Sequence, residues 1–131
     1  MVVLPIGDDA YAIRASEVGH VVASPVVTPV PGMPATVLGV CNVRGHIVPI
    51  VDTAALVGAE ATGTPTHAVV VHARDGEVGL IAIGVPSFSR LRELVGETHS
   101  AGQSGVHRID GGVATLLDIA TLLTPERLRA P

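Results

Sequence analysis

Two stretches of this chain align with each other without a gap, and that pairing limits the fold more than any other feature. Residues 39–57 read GVCNVRGHIVPIVDTAALV and residues 105–123 read GVHRIDGGVATLLDIATLL. Gly39 meets Gly105, Val40 meets Val106, Gly45 meets Gly111, Asp52 meets Asp118, Ala54 meets Ala120 and Leu56 meets Leu122. Matched valines and leucines arise often by chance among apolar strands. Matched glycines and aspartates are harder to dismiss, because each has a particular backbone duty. The alignment implies an internal duplication of strand, turn, strand, aspartate and short helix.

In the first copy, residues 37–43 are rich in β-branched side chains and read as a strand. Arg44-Gly45 is the turn, and residues 46–51 return. Asp52 then stands where a short helix over residues 53–57 should begin, so its carboxylate is expected to cap the first free amides. Asp118 is expected to cap the equivalent helix. The two turns differ in one respect. Arg44 precedes the glycine in the first, and Asp110 precedes it in the second. The retained glycine is a scaffold requirement, whereas a charge that changes sign fits a recognition role.

With 131 residues, this is one ordinary domain or two tiny barrels sharing a core. Tyr11 and Phe88 are the only aromatics, so the core must be aliphatic. Glycines and prolines separate short apolar runs, an all-β pattern. A net charge of −4, no basic cluster and few aromatics to stack on bases disfavour nucleic-acid binding. The single Cys41 lies among valines and reads as a buried thiol; one cysteine allows no disulfide within the chain. No apolar run approaches ~18 residues, so no membrane insertion is expected. The first residues, MVVLPIGDD, lack the basic segment of a signal peptide.

In chain order, residues 2–6 and 10–13 form a hairpin around residues 7–9. Residues 15–19 make one helical turn, with Val18 facing inward, and residues 20–23 extend. Four prolines over residues 25–34 make a stiff connecting loop. Residues 58–65 are the candidate linker, dividing halves 1–60 and 66–131, with room for strands to be exchanged between them. Asp75-Gly76 turns a hairpin between residues 68–73 and 78–83. Residues 84–86 break it, residues 88–95 extend or bend, and residues 96–105 form a mobile polar loop. Thr124-Pro125-Glu126 opens a last helix. About ten strands, five per half, suit two small five-stranded SH3-like barrels packed together.

Catalytic and metal chemistry find no support. His67 and His72 are an odd number of residues apart in a strand and face opposite sides. The other histidines lack ligands at suitable spacing. No nucleophile elbow and no phosphate-cradling loop occurs. No cofactor is expected, and the chain is not expected to be an enzyme.

The run Gly39-Val40-Cys41-Asn42-Val43-Arg44-Gly45-His46-Ile47-Val48-Pro49-Ile50-Val51-Asp52 resembles the signature of the CheW-like family of chemotaxis adaptors. The likeness extends to the opening hairpin at residues 7–13, to Pro29-Val30-Pro31, to Val78-Gly79-Leu80 and to Leu116-Leu117-Asp118. It implies two five-stranded barrels with an apolar groove between them and no enzymatic activity. It also implies cytoplasmic adaptors, associated with membrane receptor arrays, that link the helical tip of a chemoreceptor to the regulatory domain of the histidine kinase CheA. On this basis Asn42, Arg44 and Gly45 match the coupling turn, Val18 a groove-facing position, and Val85 to Phe88 the groove lining. Each has a plainer reading: Arg44 is solvated, Asn42 satisfies the turn, and Val18 and Phe88 belong to the core. A chain running from Met1 to just past its last helix is expected to be a stand-alone adaptor. Service to a non-chemotaxis kinase, a kinase-binding inhibitor that ignores receptor, and a small-ligand or oligonucleotide barrel are the alternatives.

Overall fold

A computed structural model describes residues 1–60 and 63–129. Ala61 and Thr62 of the expected linker lie outside the described residues. The chain is all-β, as expected, with three short helices among the described residues. Its strands are β1 (Val2–Ile6), β2 (Asp9–Ile13), β3 (Val18–Ala23), β4 (Val37–Val43), β5 (His46–Val51), β6 (His67–Ala73), β7 (Gly76–Ala82), β8 (Ser87–Phe88), β9 (Leu94–Gly96), β10 (Gln103–Ile109) and β11 (Gly112–Leu117). The helices are α1 (Thr53–Val57), α2 (Ile119–Leu122) and α3 (Pro125–Arg129), and a 3₁₀ turn spans Ala15–Glu17.

One sheet has the order β8-β1-β2-β11-β10-β9 and the other β3-β6-β7-β5-β4. The two orders correspond strand for strand. Each contains a hairpin (β1–β2 or β6–β7) whose second strand runs parallel to the second strand of a duplicated copy. Thus Leu116 lies beside Ala12 in one sheet and Ile50 beside Gly79 in the other. The correspondence reaches the edge. β9 lies beside β10 through Gly96 and Val106, and the proline-rich loop lies beside β4 through Thr28 and Val40. Val40 and Val106 are the aligned pair of the duplication.

That edge crossing explains the first glycine of each copy. A Cβ on Gly39 would stand 2.3 Å from the Thr28 carbonyl oxygen, and one on Gly105 would stand 2.5 Å from Leu94 Cδ1. Both glycines make room for the strand that crosses them.

Three apolar clusters hold the sheets. Cys41, Val43, Val48, Ile50, Ala68, Val70 and Ile81 fill one unit, and Val3, Ala12, Ile109, Ala114 and Leu116 the other. A third, larger cluster lies between the sheets and draws on both, including Leu4, Ile13, Val51, Val69, Leu80, Leu117 and Ile119. β6 is therefore buried on both faces: Val69 and Val71 point to the shared core, while Ala68 and Val70 point into their own unit. This is why its sequence is a continuous apolar run instead of an alternation.

The expected architecture holds, with eleven strands among the described residues, six in one sheet and five in the other, because the stretch read as residues 88–95 is two very short strands. One expectation is corrected. The polar stretch at residues 96–105 is tied down. The Thr98 hydroxyl donates to the Gln103 carbonyl at 3.0 Å and accepts from the Gly105 amide at 3.0 Å, while the Gln103 side-chain amide donates to the Val57 carbonyl at 3.0 Å.

Candidate functional site

The turn between β4 and β5 has two residues, since Val43 pairs with His46. Arg44 (φ 52°) and Gly45 (φ 88°) both adopt positive φ, which matches the right-handed twist of the flanking strands. Glycine does this freely and arginine does so at a cost. Asn42 Oδ1 accepts a hydrogen bond from the Gly45 amide at 2.9 Å and braces the turn. Arg44 is exposed, and among the described residues no carboxylate lies within 4.0 Å of its guanidinium.

The second turn is built differently. Asp110, aligned with Arg44, is not held at positive φ. Its carboxylate meets the Arg92 guanidinium at 2.8 Å, and its amide donates to Ser89 Oγ at 2.9 Å. The Arg92 hydrogen bond holds the Asp110 carboxyl below its usual range. Beside this pair, Arg108 contacts Glu93 at 2.7 Å. Main-chain bonds from the Arg92 amide to the Arg108 carbonyl and from the Arg108 amide to the Glu93 carbonyl complete the contact. Residues 89–93 thus lie over the second turn. Among the described residues no charged segment covers the first turn in this way, and an open concavity remains between Asn42, Val43, Arg44 and residues 19–22 of β3.

A second concavity lies where the sheets meet. Val2 and Phe88 come from one sheet, Val18 to Val21 from the other. Phe88 and Val21 hold corresponding places, opposite Val2 and Val69 respectively. Phe88 is 82 % exposed and Val21 47 % exposed, while Val18 is half-buried against the shared core. Val85, 73 % exposed, lies in the link before β8 and outside both concavities. Val18 and Phe88 are therefore brought together, and Asn42, Arg44 and Gly45 form a separate cluster. β3 joins the two, because Gly19, His20 and Val21 line both. Sequence reasoning passed over His20 and Val21. Their one signal is that β3 alternates half-buried and exposed positions without a fully buried residue.

The two aspartates differ as caps. Asp52 Oδ1 accepts from the Ala55 amide at 3.4 Å. Asp118 departs from the expected arrangement, since its carboxylate takes the Thr121 hydroxyl at 2.9 Å and no backbone amide. The position three residues past the aspartate is alanine in the first copy and threonine in the second, and the threonine hydroxyl competes for the carboxylate.

Two open concavities thus flank β3 on an all-β scaffold, and no cluster of metal-ligating side chains occurs among the described residues. A CheW-like domain family model matches residues 1–127. The chain is 33 % identical to the probable chemotaxis protein CheW of Rhizobium etli, over 95 % of this chain and 86 % of that one. It is 26 % identical to the chemotaxis protein CheW of Rhizobium meliloti, over 99 % and 90 %. The scaffolding protein TtCheW of Thermoanaerobacter tengcongensis has a similar fold, with TM-score 0.76 and 20 % identity over 98 % of this chain and 94 % of that one. The chain belongs to the CheW-like domain family, and with it to the non-enzymatic scaffold proteins of chemotaxis. No helix among the described residues is long and apolar enough to cross a membrane.

Proposed function

We infer that this protein couples the cytoplasmic helical tip of a chemoreceptor to the regulatory domain of the histidine kinase CheA. The observation that carries this reading is the groove at the meeting of the sheets, with Phe88 and Val21 exposed above Val2 and Val18. A phenylalanine left in water is costly, and covering it with the apolar stripe of a helix returns about 2 kcal/mol before ordering costs. Val85, exposed in the link before β8 and outside the groove, is not needed for this contact. Asn42, Arg44 and Gly45 form a second contact on the far side of β3, and the exposed sheet edges offer the kinase domain a surface apart from the groove. Such an adaptor acts by changing relative affinities, in the cytoplasm beneath the receptors.

Calorimetric titration with an isolated receptor-tip fragment and with the kinase regulatory domain tests the reading. Wild type is expected to bind both. Phe88→Ser is expected to weaken receptor-tip binding about tenfold and to leave kinase binding unchanged. Unchanged receptor-tip binding would remove the groove from the reading, and failure of folded wild type to bind either partner would remove the reading itself.

A further inference from the structure

The correspondence between the two sheets makes the second unit a template for what is missing from the first. β8 corresponds to β3, and β9 to the crossing at Thr28, so the connecting residues 89–93 correspond to residues 24–27. In the second unit the connection Ser89-Arg90-Leu91-Arg92-Glu93 lies over the turn and meets its charges one for one. In the first unit the connection is Ser24-Pro25-Val26-Val27, which carries no charge. Its Ser24 amide donates to the Thr66 carbonyl at 2.8 Å, just as the Ser89 amide donates to the Met1 carbonyl at 3.0 Å, and among the described residues the Ser24 hydroxyl has no bond to the turn like that of Ser89 Oγ with the Asp110 amide. The place over the first turn is left as the concavity between β3 and Asn42, Val43 and Arg44.

We propose that this concavity receives a short segment of a partner protein that carries a carboxylate opposite Arg44, seated as residues 89–93 are seated over the second turn. The signs follow from the duplication. Asp110 in the covered turn meets an arginine, so Arg44 in the uncovered turn takes an acid. Arg108 meets Glu93, whereas its counterpart Asn42 is neutral and already bonded to the Gly45 amide, so it asks for no second charge. His20 and Asn42 supply the other polar side chains, and among the described residues no carboxylate lines the concavity. An arginine held at positive φ is costly to the isolated protein, and among the described residues no carboxylate pairs with this one, which is the pattern of a residue kept for a contact made outside it.

The proposal rests on the reading that the chain docks protein partners, and it deepens that reading by naming the chemistry of one contact. The full chain and its Arg44→Glu and Arg44→Lys variants are titrated with the receptor-tip fragment and the kinase regulatory domain at low and high salt. Arg44→Glu is expected to weaken one of the two complexes about fivefold or more, Arg44→Lys to keep most of the affinity, and added salt to narrow the gap between wild type and Arg44→Glu. Wild-type affinity in Arg44→Glu for both partners overturns the proposal and leaves the groove reading standing. If wild type binds neither partner, a separate titration decides. Amide shifts of Asn42 to Gly45 are followed by NMR as the peptide of residues 89–93 carrying Arg92→Glu is added, with the unaltered peptide as control. Saturable shifts with the acidic peptide alone, absent in Arg44→Ala, uphold the carboxylate site, and equal or absent shifts with the two peptides overturn it.

Discussion

Arg44 occupies a left-handed backbone conformation in a turn that prefers Asn-Gly. Exchange to asparagine keeps the turn and relieves about 1 kcal/mol. Arg44→Asn is therefore expected to raise the melting temperature by about 4 °C while weakening partner binding, so the same change separates stability from function. The two aspartates give a second contrast. Asp52→Ala removes an acceptor from a helix amide and is expected to cost about 1 kcal/mol, whereas Asp118→Ala removes only a side-chain partner of Thr121 and is expected to cost about half as much. Paired denaturation curves check both values. Gly45 and Asp52 were legible in the sequence because each satisfies a local backbone rule. His20 and Val21 were not, because a groove-lining position on an edge strand has the same alternation as a solvent-facing one.

Among the elements, the first of the duplicated hairpins was legible to the residue, since its turn glycine and β-branched runs mark both ends, whereas the start of the second, β10 from Gln103, was read as loop. β8 and β9 were not, because two or three residues carry no period. Nor were the parallel pairings of β5 with β7 and β11 with β2, which no local signal encodes. The crossing at Gly39 supplies a test. Gly39→Ala drives a methyl group into the Thr28 backbone and is expected to cost about 3 kcal/mol, detected as lost amide protection at Thr28 and Val40. The cover over the second turn depends on pH. Asp110 titrates lower in the folded protein than in the unfolded chain, first through its bond from Arg92. Its contribution is therefore complete above the ordinary carboxylate range and is lost as pH falls through the lowered value. Amide protection at Arg92 and Arg108, taken relative to the intrinsic exchange rate at each pH, is expected to fall on acidification, and less so in Asp110→Asn, where the charge is already absent.

At the scale of the molecule, the largest cluster takes side chains from both sheets, so neither has a core of its own sufficient to stand apart. Unfolding is expected to be a single transition. Fluorescence of Tyr11, which reports the sheet of β1 and β2, should melt together with far-ultraviolet circular dichroism of the whole chain. Two separated midpoints would show that the shared core does not couple them. The duplication was legible in the sequence, and room for exchanged strands was too, but not which strands belong to which sheet. β1 and β2 belong with β8 to β11, while every strand of the other sheet lies within residues 18–82. Strand membership of that kind has a consequence for the nascent chain. As the polypeptide leaves the ribosome, the sheet of β3 to β7 has all its strands in hand once residue 82 emerges. The first hairpin, made earlier, must wait with the flank of β2 bare until β11 is synthesised more than a hundred residues after Met1. A hairpin that precedes every other strand is thus among the last to find its place, and the interval between is when this protein has most to gain from a chaperone.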